Sequence, residues 1–173
     1  QDSTATGTWQ NVSEAGGNTA GFTSDPLTQT TYYRVFVSAT ENGCEDVYSS
    51  IVTVTVFDDI AITGVAPNGS ICESGTWNLS VTASGSPNIQ YQWQDSTATG
   101  TWQNVNEAGG NTAGFTSDPL AVTTYYRVFV SATENGCEDV YSTVVTVTVF
   151  DDIAITGVAP DGSICESGTW NLS

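Results

Sequence analysis

The chain has 173 residues, 19 of them acidic and only two basic, with no histidine and a formal net charge of −17. Such a surface repels nucleic acid and anionic lipid, so neither is expected as a partner. Apolar residues still make up 39 % and aromatics 10 % of the chain, which excludes an acidic disordered tail, and no apolar run approaches the ~20 residues of a membrane span.

An internal period organises everything else. The stretch "QDSTATGTWQNV" at Gln1 returns unchanged at Gln94, and Trp9/Trp102, Cys44/Cys137, Cys72/Cys165 and Ser80/Ser173 share the same offset of 93. Only six compared positions differ: Ser13/Asn106, Thr28/Ala121, Gln29/Val122, Ser50/Thr143, Ile51/Val144 and Asn68/Asp161. The chain therefore reads as a window on a tandem array, with 1–59 the back of one unit, 60–152 a complete unit and 153–173 the front of the next. Nine acids and one arginine give the complete unit a charge of −8. Adjacent units then repel, which favours an extended, soluble array. About 93 residues suffice for one small core.

Within the complete unit, in chain order, "WNLSVTA" alternates, with Trp77, Leu79, Val81 and Ala83 on one face. "ASGSPN" is a turn, and "YQWQ" begins a strand that is expected to leave the sheet after Gln94 through the polar turn "DSTATG". "TWQNV" resumes a strand, "EAGGN" and "SDP" are turns, and "YYRVFV" directs Tyr126, Val128 and Val130 inward and Tyr125, Arg127 and Phe129 outward. Asn135-Gly136 then marks a tight hairpin, because a primed turn favours positive φ. "VVTVTVF" places Val145, Val147 and Val149 opposite Thr146, Thr148 and Phe150. No stretch has a helical period. Seven or so short strands per unit predict an all-β, two-sheet sandwich.

Taken together, "SICESGTWNLSVTASG", "YQWQ", "TTYYRVFVSATENGC" and "STVVTVTV" resemble the Ig-like repeats of giant Bacteroidota cell-surface adhesins, of the gliding-motility and type IX-secreted kind. The resemblance covers the whole unit. It implies tandem Ig-like sandwiches with Trp93 as the core tryptophan, Tyr126 as a tyrosine corner, and Leu79 and Val128 in the core. The strand position that holds a cysteine in antibody domains is Val128 here, so the usual inter-sheet disulfide is absent. The resemblance also implies an extracellular, cell-surface location.

Two cysteines per unit in such a location indicate disulfides over free thiols. With no histidine and no CxxC, zinc is a poor alternative. The resemblance favours Cys72 with Cys137, leaving Cys44 and Cys165 to pair with residues outside the window. In a plain Ig topology, however, those two positions lie at opposite ends, and a bridge needs Cα atoms within about 7 Å. Two other pairings stay open: Cys72 with the corresponding hairpin of the following unit, and Cys44 with Cys72. Lysine is absent, so lysine–asparagine isopeptide bonds are excluded.

Without histidine or lysine, a general base has to be a carboxylate. Glu138-Asp139 and Asp151-Asp152 are adjacent pairs. Neighbours on a strand point to opposite faces and would not flank one glycosidic bond. No enzyme is expected. Asp58, Asp59, Asp151 and Asp152 cluster at the junctions between units, where calcium would find carboxylate oxygens; no other cofactor is suggested. Outward Trp102, Tyr125 and Phe129 suit either packing or sugar stacking. The outward threonines Thr146, Thr148, Thr53 and Thr55 follow ordinary strand preference. Asp95-Ser96-Thr97 resembles the short O-glycosylation signal of Bacteroidota, making Ser96 and Ser3 candidate acceptors.

The function these features support is a stiff, acidic, disulfide-stabilised stalk within a long extracellular adhesin or filament. Its expected partners are neighbouring repeats, other copies of the filament and surface glycans. The alternative is an array of carbohydrate-binding modules, in which weak identical sites act through avidity.

Overall fold

The computed structural model describes residues 1–4, 8–39, 43–97, 100–133 and 137–171. Among them every regular element is a strand. The Asn135-Gly136 turn lies outside the described residues.

By internal contacts the chain divides into two compact units. One comprises Gln1–Thr63, Ala83–Gln90 and Val130–Val140, and the other Gly64–Thr82, Tyr91–Phe129 and Tyr141–Ser173.

The first copy of the repeat contributes β1 (Asp2–Ser3), β2 (Thr31–Tyr33), β3 (Phe36–Val37), β4 (Val47–Tyr48) and β5 (Val52–Val54). These form an antiparallel sheet in the order β1-β2-β5 and a separate β3-β4 ribbon. Thr31 pairs with Val54 and Tyr33 with Val52.

The complete repeat follows with β6 (Ala61–Val65), β7 (Gly69–Cys72), β8 (Asn78–Ser84), β9 (Ile89–Ser96), β10 (Gln103–Asn104), β11 (Gly114–Thr116), β12 (Thr124–Ala132), β13 (Val140–Tyr141) and β14 (Val145–Phe150). They build an Ig-like, two-sheet arrangement. The larger sheet runs β10-β9-β12-β14-β7 with β13 also on β12, and the smaller runs β11-β8-β6. β7 lies parallel to β14, with Val147 opposite Gly69 and Phe150 opposite Cys72. β12 is antiparallel to β14, with Thr124 opposite Val147 and Tyr126 opposite Val145. The second of these registers recurs 93 residues earlier in the first copy.

Side-chain alternation explains why these strands make a core. On the larger sheet Trp93, Tyr126, Val128, Val145 and Val147 are buried; on the smaller sheet Leu79, Val81 and Phe115 are. Phe115 joins the two layers, its ring centre 5.7 Å from Trp93 and 5.7 Å from Tyr126. Burying an aliphatic side chain of this size contributes about 1.5–3 kcal/mol. The Trp93 indole N–H donates to the Thr112 carbonyl at 3.0 Å, so the largest buried ring keeps its polar atom satisfied. Trp77 lies over Gly69, where even a methyl group would strike the indole ring.

β9 continues to Ser96, two residues beyond the expected exit at Gln94. Its extension pairs with β10, Asp95 opposite Gln103 and Gln94 opposite Asn104. The polar composition of "QDS" signals a turn locally, yet ladder pairing keeps it extended.

Candidate functional site

The outward face of the larger sheet carries the one cation of the complete repeat. β12 alternates, so burying Tyr126 and Val128 turns Arg127 to the opposite side. Its Nε donates to Gln94 Oε1 on β9 at 2.9 Å. The guanidinium carbon lies 4.4 Å from the Trp102 ring centre and 4.3 Å from that of Tyr141. The Tyr141 ring in turn sits 5.0 Å from Phe129. The result is a row, Trp102–Arg127–Tyr141–Phe129, in which the cation is held between two π faces.

Gln94 links this row to a second feature. While its oxygen accepts from Arg127, its Nε2 donates to Asn104 Oδ1 at 3.0 Å. Asn104 lines an open groove of about 430 Å³ with Asp95, Gln103, Val105, Asn106 and Glu107. Burial raises the Asp95 carboxyl above its ordinary range, and the nearby Glu107 charge adds to the effect. Amides and carboxylates beside stacked aromatics offer hydrogen bonds and a ring face, the chemistry that suits a polyhydroxylated ligand.

The first copy reproduces the wiring. Arg34 lies 4.2 Å from both the Trp9 and Tyr48 ring centres, and its Nε donates to Gln1 Oε1 at 2.8 Å. Gln1 Nε2 donates to Asn11 Oδ1 at 3.2 Å, and Phe36 lies 5.0 Å from Tyr48.

Of the expected outward aromatics, Trp102 and Phe129 belong to the row, whereas Tyr125 makes no ring contact in it. Tyr141, which sequence reasoning missed, takes that place. The available signal was a lone arginine flanked by outward aromatics on paired strands.

Trp93, Leu79, Tyr126 and Val128 all lie in the core. The Tyr126 hydroxyl bonds Ser117, and burial, with the Asp95 charge next in size, pushes its pKa up to about 12.

The expected Cys72–Cys137 bond is not formed, and all four cysteines are free. Cys72 sits opposite Phe150 at the end of β14.

The expected acceptors Ser3 and Ser96 are only 5 % and 4 % exposed. Both belong to paired strands.

Asp58, Asp59, Asp151 and Asp152 are exposed. Among the described residues no three acids or cysteines gather around a common point, and no helix is long and apolar enough to cross a membrane.

The family model described as a domain of unknown function, DUF8696, matches residues 1–58 and 62–151. Among curated proteins none matches the chain. Similar solved structures include a mutant form of the titin M10–obscurin-like 1 Ig complex, at 15 % identity and TM-score 0.44, covering 57 % of this chain and 100 % of that one. Sidekick-1 immunoglobulin domains 1–4 align at 15 % identity and TM-score 0.45, covering 70 % of this chain and 34 % of theirs. The tandem Ig repeats of Dlar align at 13 % identity and TM-score 0.44, covering 72 % and 64 %.

Proposed function

The chain belongs to the DUF8696 family, and on that premise we propose that it is a structural repeat segment of a long extracellular surface adhesin or filament. In this reading 1–59, 60–152 and 153–173 are successive portions of repeats that act as a stiff, acidic stalk without catalytic activity. Its partners are the neighbouring repeats of the same chain. The resemblance to Bacteroidota adhesins of the gliding-motility and type IX-secreted kind supports a cell-surface location.

One observation carries the reading: the Arg–Gln–Asn relay and its aromatic row appear in both copies, residue for residue. A chain that repeats its surface as faithfully as its core has no unique site to serve. Its useful property grows with the number of copies. The charge of −17 keeps such a chain soluble and its segments apart. Pulling the chain by its ends tests the proposal. A stalk resists with a discrete high-force unfolding peak for the complete repeat, whereas extension at negligible force contradicts it.

A second reading is an array of glycan-binding modules. It is favoured by the groove of Asp95, Gln103, Asn104, Asn106 and Glu107 lying one hydrogen-bond relay from the Trp102–Arg127–Tyr141 row. Binding of the chain on a glycan array, lost on Trp102→Ala, supports it. No binding leaves the mechanical reading alone.

A further inference from the structure

We infer that Asn68-Gly69 is a self-modifying site: the side-chain amide converts without an enzyme to a carboxylate, and the strand pairing around it retains the product. The inference goes beyond the stalk reading and does not depend on it.

The reactive pair is written in the sequence. When glycine follows asparagine, the next backbone nitrogen reaches the side-chain carbonyl most freely, because glycine has no Cβ to hinder the approach. Asn68 is exposed and stands just before β7. Its counterpart 93 residues on is Asp161, again followed by glycine. The repeat therefore carries both the amide and its hydrolysis product at this one position. Two further Asn-Gly pairs, at 42–43 and 135–136, include residues outside the described ones.

Packing explains why the glycine is kept. Gly69 lies beneath Trp77, and a Cβ there would strike the indole; Gly162 lies beneath Trp170 in the same way. Pairing explains why the product fits. Asn68 Oδ1 accepts the Thr146 backbone N–H at 2.8 Å. Gly69 stands opposite Val147 in the parallel β7–β14 pair, so this bond comes one residue before the ladder and lengthens it by a rung. An aspartate keeps that oxygen, and its charge makes the bond shorter and stronger. Access is the remaining requirement. β7 is a four-residue strand at the edge of its sheet, an element of the kind that opens locally at low free energy. Opening frees the Asn68 side chain from Thr146 and lets it turn onto the Gly69 nitrogen.

The Gly69 nitrogen then loses its proton and attacks Asn68 Cγ. A C–N bond forms, and the side-chain nitrogen leaves as ammonia with that proton, closing a five-membered imide. One water opens the ring. Breaking the new bond at Cγ gives aspartate with the main chain restored; breaking the bond to the backbone carbonyl carbon gives isoaspartate, with the chain rerouted through Cγ. One water is consumed and one ammonia released, with no change of oxidation state. The aspartyl product keeps Gly69 opposite Val147. The isoaspartyl product adds a methylene to the main chain at the start of β7 and pushes Gly69 out of that register.

The test incubates the folded 173-residue chain at mildly alkaline pH in water enriched in heavy oxygen, followed by peptide mass analysis. The peptide holding Asn68 is expected to disappear, and a peptide with a heavy-oxygen carboxylate at that position to replace it. The converted peptide shares its sequence with the one around Asp161, so an Asn68→Gln chain, whose amide is too long to close the five-membered ring, supplies the background label from that twin. Asn68→Asp is expected to melt no lower than the parent chain. Persistence of the Asn68 peptide in the folded chain, label no greater than in Asn68→Gln, or conversion only in urea overturns the inference. A lower melting temperature for Asn68→Asp overturns the fit of the product.

Discussion

Val145 and Val52 hold the same place in the repeat, yet Val145 is 1 % exposed and Val52 58 %. Each pairs with the same tyrosine position, Tyr126 or Tyr33, so local backbone pairing is common to both. In the complete repeat the sheet of β11, β8 and β6 brings Leu79, Val81 and Phe115 into the core that buries Val145. Val145→Ala is therefore expected to cost about 2 kcal/mol through lost burial and a residual cavity. Urea unfolding of the variant checks the figure, and a cost below about 0.5 kcal/mol, as at an ordinary surface, contradicts it.

Ile60 precedes β6 and is 5 % exposed. Amide hydrogen exchange is expected to be slow across Ala61–Val65, which pairs with β8. Fast exchange across that segment contradicts the pairing of β6 with β8.

Arg127 is held between Trp102 and Tyr141 while its Nε binds Gln94. A partly exposed cation–π contact contributes about 0.5–1 kcal/mol, and two operate here with a hydrogen bond. Arg127→Ala is expected to lower stability by about 1–2 kcal/mol. Arg127→Lys is expected to recover little of it, because an ammonium lacks the planar face and fork. Full rescue by lysine in denaturant titrations contradicts the stacking role.

Tyr126 supplies a pH dependence. Its folded pKa is pushed to about 12 from 10.0, chiefly by burial. The unfolded chain therefore ionises first, so this contribution is fully present below about pH 10 and is lost as pH rises through about 12. Stability should fall more steeply over that window in the parent chain than in Tyr126→Phe. Parallel curves in alkaline denaturant titrations contradict the shift.

Much of the fold was legible because period-2 alternation is a local property. "YYRVFV" and "WNLSVTA" separate faces without reference to the rest of the chain, and Tyr126, Val128, Val130, Leu79 and Val81 are buried as that alternation predicts. What remained hidden depends on pairing between distant segments. The parallel β7–β14 register set Cys72 at one end of the sheet. Pairing of β9 with β10 turned Ser96 inward despite its turn-like neighbours. Tyr141 joined the aromatic row across β12, a contact no local pattern encodes.

Small-angle scattering of arrays with increasing numbers of the 93-residue unit tests the central claim most directly. Rigid sandwiches in series lengthen the particle by a constant ~25–40 Å per added unit, from strands of ~3.3 Å rise per residue plus their loops. A maximum dimension that grows only slowly as units are added, as for one collapsing globule, contradicts the stalk.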